Sequence, residues 1–172
     1  MDYDTVVVGA GPGGSTTARF AAKNGARTLL LEKREEIGVP VRCGEGIAPR
    51  WLEMVGVPLE GDWIANRVRG AKIYSPNGNS LTIEDDNLGT EVGMVIHRDK
   101  LDQFLAKLAE DDGAEVRTGV TVTDLLWNGE DVGGVKIRDS NGKESEITCG
   151  IVVGADGFES QVGRWANLPT HR

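Results

Sequence analysis

Thr5-Val6-Val7-Val8-Gly9-Ala10-Gly11-Pro12-Gly13-Gly14-Ser15 decides the fold of this chain. The β-branched run bounded by glycine reads as a strand buried on both faces. Small residues and alanines from Pro12 to Asn24 then predict a helix, with Gly25 as its stop. Between strand and helix, Gly9 to Gly14 satisfies G-x-G-x-x-G in the context that gives this motif its meaning. Gly9 allows the tight turn, Gly11 lets the backbone approach a pyrophosphate, and Gly14 lets the helix pack closely on the strand. The helix N-terminus offers unpaired N–H groups and partial positive charge to phosphates, with the Ser15 hydroxyl as an expected aid.

Moving outward, Arg27 to Leu31 predicts a second buried strand closed by Glu32. Glu32 follows Gly9 by 23 residues, close to the interval of about 20 for an acid that accepts hydrogen bonds from an adenosine ribose. An acid there repels a 2′-phosphate, which disfavours NADP and leaves FAD and NAD both open. This opening unit predicts a Rossmann-like α/β domain with a parallel sheet.

The loop from Ile37 to Gly46 is rich in glycine, and a short helix is expected from Pro49 to Val55. Gly70 to Tyr74 and Ser80 to Ile83 flank Pro76-Asn77-Gly78-Asn79, a hairpin signal. A further strand is expected at Val92 to Ile96, so an antiparallel β insertion falls within about residues 57–97. Leu101, Phe104, Leu105 and Leu108 mark one face of a helix over Asp99 to Asp112. Strands follow at Glu115 to Thr118, Val120 to Trp127, Val132 to Arg138 and Lys143 to Cys149. Ile151 to Val153 reads as a last buried strand, ending in Gly154-Ala155-Asp156-Gly157.

The chain has 172 residues, 39% of them hydrophobic, which is enough for one domain with a sizeable core, spanning residues 1–172. Its formal charge of −8 argues against nucleic acid as a partner, because that affinity comes from neutralised phosphates. Cys43 and Cys149 form no CxxC pair, and the N-terminus does not read as a signal peptide, so a cytoplasmic location is expected. The apolar runs are too short for a transmembrane helix, so any membrane contact is expected to be peripheral. His97 and His171 have no partners at metal-ligand spacing, and no metal is expected.

Three further segments carry a resemblance. Pro40-Val41-Arg42-Cys43-Gly44-Glu45-Gly46 following Glu32-Lys33-Arg34 resembles the geranylgeranyl reductases of archaeal membrane-lipid biosynthesis, while His97-Arg98-Asp99-Lys100-Leu101-Asp102 and Gly154-Ala155-Asp156-Gly157-Phe158-Glu159-Ser160 through Arg164 resemble segments shared by the broader flavoprotein group around it. That family belongs to the flavoproteins that fold like p-hydroxybenzoate hydroxylase. The resemblance implies extended FAD, with Arg42, Cys43, Gly44 and Gly46 near the isoalloxazine ring and Arg98 near the ribityl-diphosphate. It also implies Asp156 close to the cofactor and a backbone contact from Val122 to the adenine side.

The implied reaction is reduction of isolated double bonds in geranylgeranyl chains of glycerophospholipids, by a hydride from reduced flavin and a proton from elsewhere. A prenylated glycerophospholipid would be the substrate, and an unidentified electron donor would recharge the flavin. Arg42, as a positive charge beside the flavin, and Cys43, as a contact or proton donor, are the catalytic candidates; adjacency to Arg42 is expected to lower the Cys43 pKa. The plain alternatives are an exposed cation and an inert loop thiol. Cys149, in a strand pattern, reads as a small buried hydrophobe. No Gly-Asp-Ala segment or aromatic-rich substrate region follows, so the chain is expected to be the N-terminal part of a longer reductase. A flavin monooxygenase or halogenase of the same fold and a non-catalytic FAD-binding fragment are the rival readings.

Overall fold

The computed structural model describes residues 1–84 and 93–169 and divides the chain into two compact units, Met1–Val39 with Asp102–Arg172, and Pro40–Leu101. Two positions of the sequence reading, Val92 and His171, lie outside the described residues.

In the first unit, β1 (Tyr3–Val8) leads through the glycine turn into α1 (Pro12–Lys23) and β2 (Thr28–Leu31). The two strands are parallel, with Val6 opposite Leu29 and Val8 opposite Leu31. Alternation in register sends Val6, Val8, Leu29 and Leu31 to one face, where they meet Leu125, Val135, Ile137, Ile147, Cys149 and Val162. Val7 and Leu30 point to the other face, onto Ala18 of α1 and onto Ala106 and Ala109. Burial on both faces explains why these strands read as continuous apolar runs instead of alternating ones. Each such fully buried aliphatic side chain contributes about 1.5–3 kcal/mol relative to exposure.

The six-stranded sheet is completed by β8 (Glu115–Arg117), β9 (Thr121–Asn128), β10 (Asp131–Arg138) and β11 (Glu144–Gly154), in the order β8-β2-β1-β11-β10-β9. The sequence reading of Lys143 to Cys149 and Ile151 to Val153 as two strands is corrected here: β11 runs unbroken through Gly150. Its first half pairs antiparallel with β10, and its second half pairs parallel with β1, so a single long strand joins the two kinds of sheet. Ile151 is also exposed, which corrects the expectation that this strand is wholly buried. Past the end of β11, a short helix spans Gln161–Trp165.

The second unit contains β3 (Gly46–Ile47), α2 (Pro49–Met54), β4 (Ile64–Val68), β5 (Gly70–Tyr74), β6 (Ser80–Glu84) and β7 (Gly93–Ile96). Among the described residues its strand pairs are antiparallel: a three-stranded sheet β3-β7-β4 and the hairpin β5-β6. The hairpin turns at Asn77-Gly78, where Gly78 has φ +86°, as the Asn-Gly signal predicts. Leu52, Val57, Trp63, Met94, Ile96 and Leu101 are buried in this unit. Helix α3 (Arg98–Asp111) begins within it, one residue earlier than the sequence spacing predicts. Among the described residues no helix is long and apolar enough to cross a membrane.

Candidate cofactor site

The glycine turn is built from contacts that admit no other residue at two of its positions. Gly9 has φ +102°, and a Cβ there would lie 2.4 Å from the Ala155 carbonyl oxygen. A Cβ on Gly14 would lie 1.8 Å from the Gly9 carbonyl oxygen. The turn is thereby wedged between the start of α1 and the Gly154-Ala155-Asp156 segment, which is itself tied to β1 by a bond from Ala155 N–H to the Val8 carbonyl at 2.8 Å.

Gly11 and Gly13 differ: a Cβ on either would meet nothing within 4 Å. Their lack of a side chain therefore leaves open space, not tight packing. Gly11 caps α1 without a side-chain hydrogen bond, and Pro12 has no N–H to give. The N–H groups of Gly13 and Gly14 belong to the first turn, where a helix has no carbonyl partners of its own. Open space in front of an uncapped helix N-terminus is what an anionic diphosphate requires.

Glu32 is buried and accepts two backbone N–H groups, from Ala10 to Oε2 at 3.0 Å and from Arg34 to Oε1 at 3.1 Å. A carboxylate has about four acceptor positions, so two remain for ribose hydroxyls. The Glu32 backbone carbonyl takes the Val120 N–H at 2.9 Å, which brings the residue just before β9 beside this acid. The residues present thus fit the adenosine diphosphate half of a dinucleotide.

Two candidates make hydrogen bonds that the sequence does not announce. Ser15 is fully buried, and its hydroxyl donates to the Ala10 carbonyl at 3.2 Å. It locks the turn from inside. The Asp156 carboxylate accepts from Ser160 Oγ at 2.6 Å, Gln161 N–H at 2.6 Å and Val162 N–H at 3.1 Å. Burial pushes this carboxyl up, but those hydrogen bonds outweigh burial and hold it below the usual aspartate value. Asp156 holds the start of α4 (Gln161–Trp165), while Ser160 Oγ accepts the Gly163 N–H.

In the second unit the loop residues Arg42, Cys43, Gly44 and Gly46 are exposed, and a Cβ on either glycine would meet nothing within 4 Å. Cys43 Sγ accepts the Glu45 N–H at 3.3 Å. That bond, followed by the Arg98 guanidinium, lowers the Cys43 pKa. The shift has the expected direction but a different source, since Arg98 and Glu45 produce it and Arg42 does not. Glu45 itself escaped the sequence reading. It accepts the Arg98 N–H with Oε1 at 3.0 Å and has φ +58°, a conformation that nothing in a glutamate signals in advance.

Cys149 is buried, and burial raises its thiol pKa, as suits a packing residue. Of the four tryptophans, Trp63 is buried and Trp51 and Trp127 are about half exposed. Among the described residues no three His, Cys, Asp or Glu side chains are gathered to hold a metal.

Comparison with known proteins agrees with this geometry. The FAD binding domain family model matches residues 2–172. A digeranylgeranylglycerophospholipid reductase of Picrophilus torridus is 44% identical over 98% of the chain, which spans 42% of that protein's length. The crystal structure of a geranylgeranyl bacteriochlorophyll reductase-like protein from Thermoplasma acidophilum superimposes with a TM-score of 0.90 at 46% identity, over 96% of this chain and 42% of that one. A myxobacterial chondrochloren halogenase, FAD-dependent, superimposes with a TM-score of 0.79 at 28% identity, over 94% of this chain and 39% of that one. A fit of this length, over a turn and acid shaped for an adenosine diphosphate, shows that the chain belongs to the FAD binding domain family and that its cofactor is FAD.

Proposed function

We propose that this chain is the FAD-binding part of a reductase that saturates carbon–carbon double bonds in the geranylgeranyl chains of archaeal glycerophospholipids. The observation that carries the reading is 44–46% identity, over 96% or more of the chain, to proteins named digeranylgeranylglycerophospholipid reductase. The halogenase that shares the fold is 28% identical. The substrate is then a prenylated glycerophospholipid, met by peripheral contact with a membrane, and an electron donor of separate identity supplies reducing equivalents.

The FAD that these residues would hold would, in its reduced form, supply the hydride for one alkene carbon. The residues of the chain do the rest. Gly11 and Gly13 leave room for the diphosphate at the N-terminus of α1, Glu32 accepts the ribose hydroxyls, and the Val122 backbone meets the adenine side. Arg98 serves the ribityl-diphosphate portion, and Asp156 orders the segment that abuts the glycine turn. Arg42 brings positive charge to the flavin end, and Gly44 and Gly46 allow close approach there. Cys43 contacts the flavin region and is the candidate donor of the proton that completes the alkene, since its lowered pKa makes it a stronger acid than an ordinary thiol.

The test is anaerobic incubation of a full-length reductase containing this chain with FAD, dithionite and digeranylgeranylglycerophospholipid, followed by mass spectrometry of the lipid. The expected result is the mass gain of one dihydrogen per saturated bond, without oxygen. Turnover only with oxygen and an aromatic substrate would replace this reading with a monooxygenase or halogenase. The 172-residue chain assayed in parallel separates FAD binding from turnover.

A further inference from the structure

The Arg42–Gly46 loop contains two glycines, at 44 and 46, yet the residue that takes up the left-handed conformation is the glutamate between them, with φ +58°. Glycine would adopt that conformation freely, and a non-glycine residue holds it only where surrounding contacts fix it. Three contacts do so. Glu45 N–H donates to Cys43 Sγ at 3.3 Å, the Glu45 carbonyl accepts the Ile96 N–H at 2.9 Å, and Glu45 Oε1 accepts the Arg98 N–H at 3.0 Å. The last of these satisfies an N–H at the start of α3 that has no partner within the helix, and sets a carboxylate at the positive end of its dipole. One half-buried residue, through its backbone and its side chain, therefore joins the loop, β7 and the first turn of α3.

We propose that Glu45 is a positioning residue, holding the Cys43 sulfur at the first turn of α3 beside Arg98 by gripping the Arg98 N–H with its carboxylate while its own N–H binds the sulfur. The proposal rests on the reading that Cys43 serves the flavin chemistry, and the geometry it describes involves Cys43, Glu45 and Arg98 alone. Two charged groups act on Cys43: the Arg98 guanidinium favours the thiolate and the Glu45 carboxylate opposes it. This opposition gives the test its sign. If Glu45 were only a nearby charge, removing it would lower the Cys43 pKa. If it positions Cys43, removing it frees the sulfur from the Glu45 N–H and from Arg98, and the pKa rises.

The experiment is the pH dependence of iodoacetamide alkylation of Cys43 in the 172-residue chain, read by peptide mass spectrometry, with buried Cys149 as the internal measure of folding. Glu45→Ala is expected to move the alkylation midpoint upward by about one pH unit, an about tenfold loss of thiolate below the midpoint. Glu45→Gln, which keeps an oxygen acceptor and drops the charge, is expected at or below the wild-type midpoint. An unchanged or lowered midpoint in Glu45→Ala overturns the proposal. If Glu45→Ala also exposes Cys149, the fold is lost and the comparison passes to Glu45→Gly, which relieves the backbone strain while deleting the carboxylate. A midpoint for Glu45→Gly equal to that of Glu45→Gln then overturns the proposal, and a higher one supports it. Loss of FAD binding with these midpoints as expected would count against the flavin reading and leave the positioning role standing.

Discussion

Glu32 Oε2 accepts the Ala10 backbone N–H at 3.0 Å, so the acid that ends the second strand holds the glycine turn that follows the first. One side chain therefore has two tasks, ordering the turn and presenting acceptors to a ribose. Glu32→Ala leaves the buried Ala10 N–H without its acceptor, which costs about 1–3 kcal/mol of stability. It also removes the ribose acceptors. The expected outcome is a lower urea midpoint at unchanged slope, together with weakened FAD binding in a fluorescence titration. Glu32→Gln keeps one oxygen acceptor and should fall between Glu32→Ala and wild type in both measurements.

The glycines of the turn separate packing from ligand approach. Gly14→Ala places a Cβ 1.8 Å from the Gly9 carbonyl and should lose about 1–3 kcal/mol or more of stability. Gly11 has φ −73°, which alanine adopts, and its Cβ would meet nothing within the protein. Gly11→Ala should therefore melt within about 0.5 kcal/mol of wild type. Its Cβ would occupy the space in front of α1, and FAD affinity should fall at least about tenfold, or ~1.4 kcal/mol. Thermal melts and flavin titrations of the two variants read the contrast directly.

Asp156 gives the chain a specific acid sensitivity. Its folded-state pKa is depressed by hydrogen bonds from Ser160, Val162 and Gln161 that outweigh burial, while in the unfolded chain it returns to about 3.9. Because the folded value is the lower one, the stability it contributes is fully present above about pH 3.9 and is lost as pH falls through the folded value. Asp156→Asn should reduce the melting temperature at neutral pH and flatten the acid limb of its pH dependence below about pH 4. Parallel melts of the two proteins from neutral pH downward check this.

What the sequence disclosed follows physical lines. The β1-turn-α1-β2 unit was legible because burial on both faces, helix punctuation and glycine spacing agree over one continuous stretch. Strand β4 was not, since Ile64-Ala65-Asn66-Arg67-Val68 has three exposed central residues and no apolar alternation. The unity of β11 was hidden by Gly150, which punctuates a sequence but here lies within a strand, where its missing side chain suits the nearby Asp4 carbonyl, 3.3 Å from a Cβ placed there. Glu45 was hidden for another reason. Its role comes from Arg98, 53 residues away, and from a backbone conformation that its side chain does not announce.

Titration of the 172-residue chain with FAD, followed by flavin fluorescence, asks whether the Gly9 turn and Glu32 hold the adenosine diphosphate end of FAD. Saturable binding in the micromolar range is expected, weakened by Gly11→Ala in a chain that still melts like wild type. Saturable binding that Gly11→Ala leaves unchanged, or no binding at high micromolar FAD to a folded chain, would contradict that role of the turn and the acid.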